Sequence, residues 1–200
     1  MVRVLLFDLC DTLVRTAGVK ALLNLPGLEA GHDEASLTAW FQDNPVFFAY
    51  EKGQVTTEQF LATYRRLGVT ASPTELVSWH EALILHEIDG MPRLLQDLYG
   101  RYPLYVLSNN NPLLWRGIQR VSPSLRFFQD VFLSHRIGLL KPDPAAFHYA
   151  LEQMRCPAGE VVLIDDNPQV VAAARALGMG TVHFATAEQA RAELGRLLAD

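Results

Sequence analysis

The chain has 200 residues, half of them apolar and a fifth charged, with a formal net charge of −5. This length allows one domain, or a core domain that carries a smaller inserted one. The negative charge argues against a nucleic-acid partner, because binding to a phosphate backbone requires a clustered basic face. No apolar stretch approaches the ~20 residues needed to cross a bilayer. We therefore expect no membrane partner and, since Asp8 interrupts the N-terminal apolar run, a cytoplasmic protein without a secretory signal.

The first predicted strand covers residues 2–7, a short β-rich run that ends in a polar cluster, as buried parallel strands do. The segment from about residue 14 to residue 89 contains no convincing strand pattern. Its signals are helical, with Thr56 and Gln59 predicting a capping box and residues 75–87 predicting a further helix.

The last hundred residues predict an alternation of strands and helices. Strands are predicted over residues 104–107, 131–133, 161–164 and 181–184, and helices begin after the pairs Asp143-Pro144 and Asn167-Pro168 and at Thr186. This order predicts an α/β fold in which a parallel sheet has helices on both faces. We expect residues 1–14 and 90–200 to form this core and residues 15–89 to form a helical cap domain above the carboxyl ends of the strands, where ligands bind in open α/β folds.

Polar residues follow the predicted strands. Asp8 follows the first strand and Ser108 the second, Lys141 comes after the third, and Asp165-Asp166 ends the fourth. Because the strands of a parallel sheet end at one edge, we expect these side chains to meet there.

Together these residue types suit phosphoryl transfer. An ionised Asp8 can attack phosphorus and form an acyl phosphate. Asp165, supported by Asp166, offers the hard oxygen ligands that Mg²⁺ prefers. Ser108 and Lys141 can hold the remaining phosphate oxygens, with the lysine charge balancing the carboxylates.

The order and spacing of these motifs resemble the haloacid dehalogenase superfamily, and more narrowly its small phosphatases with a helical cap. The resemblance implies a Rossmann-like core, a Mg²⁺ cofactor and a small phosphorylated substrate such as a sugar phosphate. It makes Asp8 the nucleophile, with Cys10, Ser108 and Lys141 as further catalytic candidates. The candidate substrate-binding residues are Thr12, Ser108, Asn109 and Lys141, and the candidate metal ligands are Asp8, Cys10, Asp165 and Asp166.

The sequence departs from the family pattern beside the nucleophile. Cys10 stands where these phosphatases carry an aspartate that acts as general acid and base, and Asp11 stands where glycine is usual. The resemblance implies metal binding through the backbone carbonyl of residue 10, which a cysteine retains. A thiol with an ordinary pKa of about 8.5 is a poor substitute in acid–base catalysis. One alternative is that Asp11 acts as the general acid and base instead. The last motif also departs from the pattern, since many relatives carry a further acidic residue at the position of Gln169, and Asp166 could replace that residue.

Three functions remain open. The first is a phosphatase weakened in acid–base chemistry. The second is a metal-independent haloacid dehalogenase, which leaves the Asp165-Asp166 pair unexplained. The third is a catalytically weak regulatory or binding member of the same fold.

An aromatic-rich stretch in the predicted cap either forms its hydrophobic core or faces the substrate: Trp40, Phe41, Phe47, Phe48 and Tyr50. The sequence does not predict an oligomeric state.

Overall fold

A computed structural model of the chain describes residues 1–199. The strands of these residues are β1 (Val4–Phe7), β2 (Val14–Thr16), β3 (Ile84–Glu87), β4 (Leu104–Ser108), β5 (Asp130–Leu133), β6 (Val161–Asp165) and β7 (Gly180–His183). Five parallel strands form the central sheet in the order β5-β4-β1-β6-β7, and the two short antiparallel strands β2 and β3 form a second sheet. All five strands predicted from sequence are therefore present, and they form the parallel sheet.

The central strand β1 packs apolar side chains on both faces of the sheet. Leu5 and Phe7 belong to one hydrophobic cluster, whereas Val4 and Leu6 belong to another. Successive side chains of a strand point to opposite faces, so a strand covered on both sides must be apolar throughout. The result is a three-layer, Rossmann-like α/β fold, as predicted.

Helices cover both faces. The helices of the described residues are α1 (Glu34–Gln42), α2 (Pro45–Glu51), α3 (Thr57–Ala62), α4 (Pro73–Glu81), α5 (Met91–Leu98), α6 (Pro112–Val121), α7 (Ser134–Ile137), α8 (Pro144–Met154), α9 (Pro168–Ala176) and α10 (Ala187–Leu197). Helices α5, α6 and α10 contribute to the first cluster, and α8 and α9 contribute to the second. The predicted caps form: Asp143 accepts from the Ala145 amide, Asn167 from that of Gln169 and Thr186 from that of Gln189.

The segment between β2 and β3 is mainly helical and supplies most of a third hydrophobic cluster, which includes Leu37, Tyr50, Phe60 and Tyr64. The predicted capping box is present, since Thr56 and Gln59 exchange hydrogen bonds between side chain and backbone. The chain that leaves the central sheet after β1 thus builds a second core before it returns at β4.

Two predictions for this segment were wrong. Residues 14–89 do contain strands, because β2 pairs antiparallel with β3 at the two ends of the segment. The helix predicted over residues 75–87 ends at Glu81, and Ile84–Glu87 is β3 instead. The apolar spacing of this stretch suits a helix, but pairing with a strand about 70 residues earlier overrides that local preference.

In the part of the chain that the structure describes, no helix has both the length and the apolar character needed to cross a membrane.

Candidate active site

Three charged side chains meet at the carboxyl edge of the central sheet. The Lys141 Nζ lies 2.7 Å from Oδ1 of Asp8 and 2.6 Å from Oδ2 of Asp165. All three residues are buried, with at most 6% of their surface exposed. A single ammonium group therefore bridges the two carboxylates that the sequence predicted to come together.

The strand order explains this convergence. Strand β1 is the middle strand and pairs with β4 on one side and β6 on the other. Asp8 follows β1, and its amide donates to the Ile164 carbonyl at 2.9 Å, which continues the pairing with β6. Ser108 and Asp165 are the last residues of β4 and β6. The parallel sheet thus places one predicted site residue on each of three adjacent strand ends.

Burial and charge shape the protonation of this group. Burial raises the pKa of Asp8 to about 7 against the opposing effect of the Lys141 ammonium, and the Asp165 carboxylate adds to the rise. Burial acts to lower the pKa of Lys141, but the carboxylates of Asp8 and Asp165 outweigh it and raise that pKa above its ordinary value. Lys141 therefore stays charged while it holds both carboxylates.

Asn109 fixes the backbone of Lys141. Its side-chain Nδ2 donates to the Lys141 carbonyl and its Oδ1 accepts from the Lys141 amide, both at 2.8 Å. The amide predicted to bind substrate is thus engaged in positioning the lysine. Ser108 is buried, and its hydroxyl has only a long contact of 3.5 Å to the Asn109 carbonyl, which leaves it available for a stronger partner.

The loop after β4 is held by its own hydrogen bonds. Asn111 caps α6 by accepting from the amides of Leu113 and Leu114 at 3.1 Å. Ser134 Oγ lies 2.8 Å from the Asn110 amide, from which it accepts. The two asparagines therefore stabilise the loop that presents Ser108.

Cys10 stands beside the charged group in a partly buried position. Burial raises the pKa of its thiol well above the ordinary value, and the carboxylates of Asp8, Asp11 and Glu51 act in the same direction. Its nearest polar contact is a long one, 3.9 Å from the Asn110 Nδ2 to the sulfur. The thiol therefore stays protonated.

Asp11 adopts the left-handed backbone conformation, with φ 57°. This conformation explains why glycine is usual at the position, and aspartate is among the residues that tolerate it. The Asp11 carboxylate accepts from the Thr16 hydroxyl at 2.6 Å, the Thr16 amide at 3.2 Å and the Arg15 guanidinium at 3.1 Å. These bonds tie the carboxylate to its own turn.

The remaining candidates lie around this centre. The half-buried Asp166 has its pKa raised by burial and then by the Asp165 and Asp11 carboxylates. Thr12 is fully buried, and its hydroxyl has no hydrogen-bond partner among the described residues. Gln169 is exposed at the start of α9.

A cavity of about 320 Å³ adjoins the site. Cys10, Asp11 and Asn109 form its end nearest the charged group. The other walls come from α6 and from the helical segment, and most of them are apolar: Val19, Leu22, Phe41, Phe47, Phe60, Leu83 and Leu114. Phe41 and Phe47 of the predicted aromatic stretch therefore face the cavity. Tyr50 and Trp40 instead stack in the core of the segment, on Phe60 and Tyr64.

Sequence reasoning missed Glu51, which also lines the cavity. Burial raises the pKa of its carboxyl group to about 7, with no contribution from a hydrogen bond or a counter-charge. The signal in the sequence is an acidic residue directly after the aromatic run that ends at Tyr50.

Comparisons with known proteins agree with this architecture. A family model for haloacid dehalogenase-like hydrolases matches residues 2–178. The glyceraldehyde 3-phosphate phosphatase of Pyrococcus abyssi is 28% identical, and the match covers 92% of this chain and 82% of that protein. The phosphoserine phosphatase of Thermus thermophilus is also 28% identical, with 90% and 87% covered.

Among solved structures, a HAD family enzyme from Bacteroides thetaiotaomicron in complex with magnesium and inorganic phosphate superposes with a TM-score of 0.79. That protein is 23% identical, and 91% of this chain and 93% of that chain are covered. Some curated relatives are much longer, since the match spans 29% of drimenol cyclase drtB from Aspergillus calidoustus and 15% of mouse acyl-CoA dehydrogenase family member 10. With the family model covering most of its length, the chain belongs to the haloacid dehalogenase-like hydrolases.

Proposed function

We propose that the protein is a Mg²⁺-dependent phosphatase that hydrolyses a small phosphate monoester through an aspartyl-phosphate on Asp8. The observation that carries this proposal is the buried contact of Lys141 with both Asp8 and Asp165. The two phosphatases that match most of this chain are named for small phosphate monoesters, which supports the same reaction class.

Asp8 supplies the nucleophile. Its Oδ1 is held by Lys141, which leaves Oδ2 to attack phosphorus. The leaving oxygen departs as an alkoxide, which takes a proton from solvent, as the Asp8–phosphorus bond forms. Water then attacks the phosphorus, which releases phosphate and restores the Asp8 carboxylate. Splitting the hydrolysis into two displacements makes each step easier than direct attack by water. Lys141 balances the charge of the incoming phosphate, and the weakly bonded Ser108 hydroxyl donates to one of its oxygens.

The residues present fit a magnesium ion. The donors are oxygens, namely the carboxylates of Asp8 and Asp165 with the Cys10 carbonyl, and Asp166 lies one residue from Asp165. The Asp8, Asp165 and Asp166 carboxylates outnumber the single Lys141 ammonium, so a further cation is favoured on charge grounds. No group of three metal-binding side chains occurs within residues 1–199, so the ion would depend on the backbone carbonyl and on phosphate oxygens. When bound, Mg²⁺ would neutralise phosphate charge and polarise the phosphorus.

We further propose that residues 15–89 act as the cap. The cavity has walls from both this segment and the core, so a substrate seated there would contact both. A site of this size suits a small molecule.

The protonated Cys10 makes this a phosphatase with weakened acid catalysis. Loss of a general acid removes about 10²- to 10⁴-fold in rate where the leaving group needs a proton. We expect Cys10→Asp to accelerate hydrolysis of an alkyl phosphate markedly and that of p-nitrophenyl phosphate much less, because nitrophenolate leaves without protonation. An equal response of the two esters would exclude a missing general acid.

Two measurements test the proposal as a whole. Wild-type protein should release phosphate from p-nitrophenyl phosphate with Mg²⁺ and lose that activity in EDTA, and Asp8→Asn should be inactive while remaining folded. The dehalogenase alternative predicts instead that EDTA leaves chloride release from a 2-chloro acid intact. Full phosphatase activity in the Asp8→Asn protein would refute the role of Asp8.

A further inference from the structure

The walls of the cavity beside the site are mainly apolar. Phe41, Phe47 and Leu22 contribute from the helical segment, and Leu114 contributes from α6. Its volume of about 320 Å³ is at the lower end of the range for pockets that hold small organic ligands. Any group that extends from a phosphate at Asp8 past Cys10 and Asn109 enters this space.

Most polar side chains that line the cavity are already hydrogen-bonded within the protein. His80 uses both ring nitrogens, 2.8 Å from the Tyr64 hydroxyl and 2.7 Å from the Leu76 carbonyl. The Thr16 hydroxyl donates to Asp11, and Asn109 is engaged with the backbone of Lys141. These residues therefore offer few hydrogen bonds to a bound molecule.

Glu51 is the exception among the ionisable side chains of the walls. Its carboxyl group has no hydrogen bond or ion pair within the described residues, and its pKa of about 7 reflects burial alone. Burial as the cause of this raised pKa agrees with the apolar walls around the carboxyl group. It can satisfy about one polar group of a ligand.

We propose that the leaving group of the substrate is an apolar alcohol, a hydrocarbon chain or an arylalkyl group that carries at most one polar substituent, next to Glu51. This inference rests on the proposed phosphatase function and replaces the sugar phosphate expected from the resemblance. A sugar would bury several hydroxyl groups against these walls without partners, which a site of this kind penalises strongly. A hydrocarbon loses nothing by leaving water and gains from burial.

Two esters of matched chemistry test the proposal. Hexyl phosphate and glucose 6-phosphate have the same number of carbons, and both release a primary alkoxide, so they differ mainly in the polarity of the leaving group. With wild-type protein and Mg²⁺, we expect kcat/KM for hexyl phosphate to exceed that for glucose 6-phosphate by about 10²-fold or more. p-Nitrophenyl phosphate serves as the positive control for activity.

A matched pair of variants locates the effect. Leu83 lines the cavity, whereas Leu85, two residues further along the chain, is 48% exposed and lies outside it. Leu83→Gln should lower kcat/KM for hexyl phosphate by about tenfold, and Leu85→Gln should leave it unchanged. Leu114→Gln places the same change on the wall that α6 contributes, and it tests the proposal if the Leu83→Gln protein does not fold.

Three results would overturn the inference. Turnover of glucose 6-phosphate equal to or faster than that of hexyl phosphate excludes an apolar leaving group but leaves the phosphatase function standing. Equal effects of Leu83→Gln and Leu85→Gln, with no effect of Leu114→Gln, show that the leaving group lies elsewhere. Failure to hydrolyse any of the three esters refutes the phosphatase function itself.

Discussion

Lys141 carries one positive charge between two carboxylates, and all three side chains are buried. Each charge has lost its hydration, so the group is stable only because the opposite charges and their hydrogen bonds compensate for that loss. Such an arrangement contributes little net stability, but removal of one of its charged side chains lowers the free energy of unfolding strongly, because a buried charge is left without a partner. The proposed chemistry of the site and the stability of the fold therefore involve the same residue.

We predict that Lys141→Met destabilises the protein by about 3–5 kcal/mol, because it leaves the Asp8 and Asp165 carboxylates buried without a counter-ion. Urea unfolding at neutral pH measures this change. Phosphatase activity should be lost as well.

Arg3→Met is the control for this prediction. Arg3 also pairs with a carboxylate, that of Glu160 at 2.8 Å, but the arginine side chain is 65% exposed. Water screens this pair, so its removal should change the unfolding midpoint far less. A Lys141→Met protein as stable as Arg3→Met would show that the buried group is not held by the lysine.

Helix α6 joins the parallel sheet to the helical segment, and it does so through a very close contact. A β-carbon at Gly117 would lie 2.5 Å from the Glu81 carbonyl oxygen and 2.9 Å from the Ile84 side chain. The helix can approach the end of α4 and strand β3 only because residue 117 has no side chain. This contact fixes the wall that α6 contributes to the cavity.

We expect Gly117→Ala to destabilise the protein by about 1–3 kcal/mol, because the added methyl group forces the backbone of α4 or α6 to move. Gly195→Ala makes the same change in α10, where no atom lies within 4 Å of the new β-carbon. That variant should gain about 0.5–1 kcal/mol from the higher helix propensity of alanine. Thermal unfolding of the two variants compares them, and equal shifts would contradict the close packing of α6.

His80 makes the helical segment sensitive to acid. Burial lowers its pKa to about 4 from an ordinary 6.5, although the Leu76 carbonyl that it bonds acts in the other direction. The unfolded chain therefore binds more protons than the folded chain between these values. The contribution of the neutral His80 to the free energy of unfolding is fully present above pH 6.5. It is lost as the pH falls towards 4, and the total loss is about 3 kcal/mol.

We expect His80→Gln to be less stable than wild type at pH 7 but to lose less stability between pH 6.5 and pH 4. Urea unfolding across this range measures the slope. His148→Gln, at an exposed position on α8, should keep the wild-type slope. An unchanged slope in His80→Gln would show that another group causes the acid sensitivity.

Much of this molecule could be predicted from local sequence. The strands of the central sheet are short apolar runs, and most helix starts carry their own cap residue, such as Asp143 or Asn167. The pairing of β2 with β3 could not be predicted, because each strand has at most four residues and their partnership depends on the helical segment between them. Glu51 could not be predicted as a cavity residue either, because only the packing of the folded chain brings it to the cavity wall.

The site residues that followed strand ends were easier to predict than those that act through other residues. Asp8, Lys141 and Asp165 meet as expected, because parallel strands end at one edge. The part played by Asn109 was not expected, since its clamp on the Lys141 backbone depends on a loop conformation that the sequence does not specify.

The whole molecule combines a charged group on a rigid sheet with an apolar cavity shared between the sheet's loops and the helical segment. In the proposed function, the first part binds the phosphate group of the substrate and the second selects the group that is attached to it. Specificity in this arrangement can change through the cavity walls without change to the charged group.

The central claim is that a phosphoryl group is transferred from the substrate to Asp8. Protein mixed with hexyl phosphate and Mg²⁺, quenched in acid within one turnover and digested, should yield a peptide whose mass has increased by one phosphoryl group at Asp8. The Asp8→Asn protein should yield none. Turnover without any phosphorylated peptide, or with the label on another residue, would contradict the proposed mechanism.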